Sequence, residues 1–203
     1  MKLTHLGESP DHWKGSLREL LSAQLKSLYV VPMITDRRSW QPRHFETYAQ
    51  LLRVGVADIF QDCYPSSTYF EVAVKGQEER DLFVDPNTGI RDIPATNPQK
   101  MNNYILVSEC SKLLPSNSPR VLMIYEQSRN NQDEKSDHID DIGQRIKIAG
   151  CEWCAYDGGT NLTMFLLSRS KDRITEIRAR ISAILNLCAE GAHAPSGLNR
   201  LFP

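Results

Sequence analysis

Two stretches of this chain bring together residue types that can do chemistry. The first lies near the N-terminus, where His5, Gly7, Asp11 and Lys14 place an imidazole, a side-chain-free backbone position, a carboxylate and an ammonium close together. The second is Asp85-Pro86-Asn87-Thr88-Gly89, directly after the apolar run Leu82-Phe83-Val84. Such a run belongs in a sheet interior, so the charge at its end must emerge at the sheet edge, where solvent or a ligand can meet it. A third carboxylate, Asp36, follows the β-rich run at 28–34. Simpler roles compete for the same residues. Asp11 suits a helix N-cap, and Asp85 to Gly89 are turn formers at every position. His12 reads as a surface residue, Trp13 as core, and Asp140-Asp141 as solvated charge.

The elements that must position these residues follow from periodicity. Residues 11–26 carry Trp13, Leu17, Leu20, Leu21 and Leu25 at helical spacing. A helix over 42–54 opens at Pro42 and buries Phe45, Tyr48, Ala49 and Leu52. Strands are expected at 2–6, 28–34, 69–75, 81–84, 104–107 and 120–125. Pro32 puts a strand end or bulge in the second of these. Residues 90–103 are rich in proline and asparagine and read as a loop, and a short helix ends near Leu114. After a charged loop at 128–136 comes a helix at 137–149, with Ile139, Ile142 and Ile146 on one face. Strands at 151–156 and 162–168 flank Asp157-Gly158-Gly159-Thr160, a hairpin signal. A strong amphipathic helix covers 171–188, and 192–203 reads as an irregular tail. Strands alternating with helices predict a single α/β domain over 1–203: a three-layer, Rossmann-like mixed sheet closed by a C-terminal antiparallel hairpin. Ligands bind such sheets beyond the carboxyl ends of the strands. Segments 5–14, 35–36 and 85–89 fall there.

On those segments the chain resembles the class I S-adenosylmethionine-dependent methyltransferases, and most of all the ribosomal-RNA adenine-N6 enzymes. His5-Leu6-Gly7 with Asp11 and Lys14 is similar to their His-x-Gly-Asn turn and following Asp-x-x-Lys helix. Asp85-Pro86-Asn87-Thr88 is similar to the Asp/Asn-Pro-Pro-Tyr motif of amino-methylating enzymes. The resemblance implies catalytic roles for Asp85, Pro86, Asn87 and Lys14, and cofactor contacts from His5, Gly7, Asp11 and Asp36. Asp85 would supply a carboxylate and Pro86 a carbonyl that orient an amine toward the sulfonium methyl, catalysis being mainly positioning. It implies S-adenosylmethionine as cofactor, no metal, and a nucleic-acid base as substrate, reached through a local patch. The chain departs from the pattern at Glu8, Asn87 and Thr88. The last replaces the aromatic that stacks on a flipped base.

Bulk properties exclude other classes. A chain of 203 residues, 40% hydrophobic and 24% charged, has ordinary globular composition. A net charge of −1 does not suit nonspecific grip on phosphate backbone. No apolar run approaches the roughly 20 residues needed to span a bilayer. The opening residues lack a signal-peptide h-region, so a cytoplasmic location is expected. The five cysteines are expected to be reduced, with Cys151 and Cys154 as packing residues. Two alternative functions remain. One is a restriction-type metal-dependent nuclease: Phe70-Glu71-Val72-Ala73-Val74-Lys75 resembles the strand bearing its Glu-x-Lys, although Ala73 stands where the metal ligand belongs. The other is an interaction protein on a Rossmann-like frame. No P-loop and no Gly-x-Ser-x-Gly elbow is present.

Overall fold

A computed structural model describes residues 2–64, 68–94, 103–116, 118–127, 132–159, 162–190 and 200–203, with side chains at 132–133 and 187–190 left aside. Among them are six α-helices: α1 Ser9–Leu20, α2 Pro42–Leu52, α3 Tyr69–Val74, α4 Val107–Leu113, α5 Gln132–Ile148 and α6 Lys171–Glu190. The strands are β1 Leu28–Pro32, β2 Asp81–Asp85, β3 Gly89–Arg91, β4 Tyr104–Leu106, β5 Val121–Gln127, β6 Glu152–Asp157, β7 Leu162–Ser168 and β8 Arg200–Phe202. Six of these strands form one mixed sheet in the order β1-β2-β5-β7-β6-β8, and β3 pairs with β4 in a separate ribbon. The strands β1, β2 and β5 are parallel, while β7 is antiparallel to both β5 and β6, and β8 is antiparallel to β6. The closing hairpin expected at 151–168 is therefore present.

Alternation along the strands divides the core into two layers. Val31, Leu82, Val84, Leu122, Ile124, Trp153 and Phe165 face one side, covered by α3, α4 and α5 through Tyr69, Ala73, Cys110, Leu113, Ile139, Ile142 and Ile146. Val30, Phe83, Met123, Cys154, Met164 and Leu166 face the other, covered by α1, α2 and α6 through Leu17, Phe45, Tyr48, Leu52, Ile174, Ile177 and Ile181. Both faces of the sheet are buried, which is why the strands read as continuous apolar runs. Gly15 sets the approach of α1 to α2, since a Cβ there would overlap the Leu51 carbonyl. That close contact carries Tyr48 toward the end of β2.

Several elements differ from expectation, each for a physical reason. Residues 2–6 form no strand. Leu3–His5 is a 3₁₀ turn with no buried residue, and the outer edge of β1 is taken instead by Ile59 and Phe60, which pair with Val30. The first strand is thus β1, at a sheet edge, and the order of the parallel strands runs on without the reversal that marks a Rossmann switch point. Residues 69–74 are helical, not extended: Tyr69 and Ala73, one turn apart, are both buried, and the Tyr69 hydroxyl donates to the Pro32 carbonyl at 2.5 Å. Tertiary packing here overrides β-propensity. Asp11 is not the cap of α1. Glu8 holds that position, with Pro10 and Asp11 in the first turn, a place where proline is tolerated and a carboxylate meets the helix dipole. The helix expected at 137 begins at Gln132, within the expected charged loop. Residues 200–202 of the expected tail form β8 against β6. Loop residues 95–102, hairpin residues 160–161 and tail residues 191–199 lie outside the described residues.

Candidate functional site

Every charged group of the principal cluster comes to one point by ordinary local rules. Asp11 and Lys14 are three residues apart on α1, so they share a helix face. Asp85 ends β2 and points to the same sheet face as Phe83, the face α1 and α2 cover. Lys14 Nζ donates to Asp11 Oδ1 at 3.0 Å and to Asp85 Oδ1 and Oδ2 at 3.0 and 2.9 Å. Tyr48, from α2, donates its hydroxyl to Asp85 Oδ2 at 2.5 Å. The Tyr125 ring on β5 lies 4.2 Å from Lys14 Nζ, giving a cation–π contact. Asp11, Lys14 and Asp85 are only 2%, 5% and 1% exposed. Burial alone would be costly for each charge, and mutual pairing offsets that cost.

The electrostatics follow from this geometry. Burial pushes the Asp11 carboxyl above its usual value, against the opposing pull of Lys14 and of the Gly7 N–H. Burial pulls the Lys14 ammonium down, but Asp85 and Asp11 outweigh it and raise its pKa. Tyr48 is raised well above the normal phenol by burial and by Asp85. Burial pushes Tyr125 up to about 12, with Lys14 opposing.

The cluster floors a cleft of about 190 Å³ whose walls include Lys2, His5, Glu8, Asn87 and Gln127. Of the residues expected from sequence, Asp85, Pro86, Asn87, Lys14, His5 and Asp11 line this cleft. The Asp85 carboxylate, expected at an open edge, is instead covered by Lys14 and Tyr48. His5 sits at the mouth, its Nδ1 3.1 Å from Glu8 Oε1. Asn87 donates from Nδ2 to Asn103 Oδ1 at 3.0 Å and to Thr35 Oγ1 at 3.3 Å, which fixes the turn after β2. Gly7 has φ +86° and donates its N–H to Asp11 Oδ2 at 2.9 Å, so it shapes the entry to α1. Asp36 is placed elsewhere. It accepts from Leu3 N–H at 3.1 Å and Trp40 Nε1 at 3.0 Å, anchoring the N-terminal segment. Tyr48 and Tyr125 were legible only as apolar positions. A buried tyrosine hydroxyl needs a partner, and that requirement was the signal available.

The loop after β1 and the cleft are the parts that a nucleoside sulfonium cofactor would meet. No glycine occurs from Leu28 to Trp40, and Met33 and Ile34 after β1 are fully buried. Both Asp36 oxygens are engaged, and the cleft is smaller than the roughly 300–1,000 Å³ of typical ligand pockets. Lys75 caps the C-terminus of α3, so Phe70 to Lys75 is not the strand that the nuclease reading needs. Cys151 and Cys154 face opposite sides of the sheet, as a spacing of three on a strand requires, so they cannot share a metal. Burial raises both thiols, Cys154 to about 12. Among the described residues there is no cluster of three or more metal-ligating side chains, and no helix is long and apolar enough to cross a membrane.

Fold and site together define a mixed α/β chain with helices on both faces of its sheet and a buried Asp–Lys–Asp centre at the carboxyl ends of the strands. Comparison with protein-family models, curated proteins and solved structures finds no match to this chain.

Proposed function

We propose that this chain is an enzyme acting on a small polar molecule in the cleft beyond β2, with Asp11 exchanging the proton and Lys14 and Asp85 forming the charged frame. One observation carries the reading: an ammonium held between two carboxylates, nearly inaccessible to solvent, on the floor of an open cleft. Well-packed apolar residues of similar volume would stabilise a fold at least as well as a buried ion cluster, and strongly perturbed groups in clefts mark functional sites. A carboxyl whose pKa is raised by burial is suited to proton transfer nearer neutrality. The centre sets two carboxyl groups, Asp11 and Asp85, against the single ammonium of Lys14. That favours a ligand presenting a positive or hydrogen-donating group, such as an amine or amide. A cleft of about 190 Å³ holds the volume of about six water molecules, at roughly 30 Å³ each.

The second reading is amino-group methylation. It is supported by the Asp85-Pro86-Asn87 turn lining the cleft and by the hairpin that places β7 between β5 and β6. On this reading Asp85 holds the substrate amine once Lys14 gives way, and a nucleic-acid base would be the acceptor.

Amide NMR distinguishes the two. Methylamine and urea, titrated to millimolar concentration, are expected to shift residues 7–14, 85–88 and 127, and Asp11→Asn is expected to remove the effect. Calorimetry with S-adenosylmethionine and its demethylated product tests the second reading. Silence with the small amines and amides overturns the first reading, and absence of heat with the sulfonium compound overturns the second.

A further inference from the structure

A second group of ionisable side chains lies on the opposite sheet face from the Asp11–Lys14–Asp85 centre. Glu126, near the end of β5, is 3% exposed and shares the face of Leu122 and Ile124. Its Oε2 accepts the Ile90 N–H at 2.6 Å, and its Oε1 stands 3.3 Å from His138 Nε2 on α5. The chain is shaped around this carboxylate, since any side chain at Gly89 would overlap it. His138 also lines a cavity of about 370 Å³ between β3 and α5, together with Ile90, Arg91, Asp92, Asp141 and Arg145. Arg91 lies 4.3 Å over the Tyr104 ring. One guanidinium face is thereby covered, and Arg91 also lines the cavity.

We propose that His138 and Glu126 form a second, water-activating centre that hydrolyses a small carboxylic ester in this cavity. Glu126 accepts from the Nε2–H, so the imidazole keeps its lone pair on Nδ1, the tautomer a carboxylate partner selects. Nδ1 takes a proton from water as the water oxygen bonds to the ester carbonyl carbon. The bond from that carbon to the alcohol oxygen then breaks, and the departing oxygen recovers the proton from His138. Acid and alcohol are the products, and water is the co-reactant. Arg91 stabilises the charge that builds on the carbonyl oxygen. Among the described residues, the charged groups around His138 include Glu126 from β5, Asp141 and Arg145 from its own helix, and Arg91 and Asp92 from the β3 segment.

The test uses 4-nitrophenyl acetate with the full chain. Wild type is expected to turn over, and His138→Gln to lose about 100-fold or more in kcat/KM. Glu126→Gln keeps an acceptor for the Ile90 N–H, so the fold is retained. It is expected to lower kcat with KM little changed, because the imidazole loses the carboxylate that holds its ring and tautomer. Equal rates in wild type and His138→Gln overturn the proposal. A loss of stability in His138→Gln with no change in rate overturns it as well, and shows a clasp between α5 and β5.

Discussion

Replacing Lys14 with methionine removes one charge while nearly conserving volume, and leaves the carboxylates of Asp11 and Asp85 facing each other under cover. The ammonium stands 2.9–3.0 Å from its three acceptor oxygens. At that separation one pair of unit charges interacts by about 5 kcal/mol at an effective dielectric of about 20. Breaking a buried pair by removing one partner costs about 3–5 kcal/mol, and the two figures agree in order. Against a typical total stability of about 5–15 kcal/mol, Lys14→Met is therefore expected to lose from roughly a fifth of it to all of it. For a chain of this size that corresponds to a fall of roughly 6–20 °C in Tm. Urea unfolding at pH 7 is the assay, with an unchanged m-value as the sign that only stability has moved. The pH dependence supplies a second check. In the variant the Asp11 carboxyl, already raised by burial, loses the Lys14 ammonium that opposes the rise and moves further above its unfolded value. A group raised in this way binds more protons in the folded state, so the deficit should shrink as pH falls toward 4. A loss below 1 kcal/mol at pH 7, or one that does not shrink on acidification, would refute the account of Lys14 as the counter-ion of both carboxylates.

Tyr48→Phe deletes only the hydroxyl that donates to Asp85, and is expected to cost about 1.5–3 kcal/mol, the range for a hydrogen bond to a charged group, measured by the same urea titration. Lys14, Tyr48 and Tyr125 all have raised folded pKa values. Their stabilisation is complete below the unfolded values near pH 10 and is lost as pH rises through the folded values. Wild type is therefore expected to lose stability from about pH 10 upward, and Tyr48→Phe to show a shallower alkaline decline by circular dichroism. Cys63 is exposed, while Cys151 and Cys154 are buried with raised thiol pKa values. Iodoacetamide is expected to label Cys63 first and the pair only on unfolding, as read by peptide mass spectrometry.

The sequence by itself determined the parts whose signal is local. The apolar runs at 28–32, 81–85, 121–127 and 162–168 and the isoleucine stripes of α5 and α6 encode their elements directly, because periodicity along one segment records which side it buries. The gathering of Asp11, Lys14 and Asp85 at the carboxyl edge was partly legible for the same reason. A spacing of three on a helix and a carboxylate after an apolar strand both fix direction. Local signal could not report which partner each surface meets. Residues 69–74 alternate like a strand, yet Tyr69 and Ala73 find a buried place beneath β1 as a helix. Residues 2–6 could pair as a strand, but the open edge of β1 is already bonded to Ile59 and Phe60. Tyr48 read as a core residue of α2, and only the close passage of α1 over α2 at Gly15 delivers its hydroxyl to Asp85. Asp36 had a plausible place at a strand tip and is instead held by Leu3 and Trp40. Strand order and the pairing of buried charges depend on contacts between residues distant in the chain, so only the tertiary structure decided them.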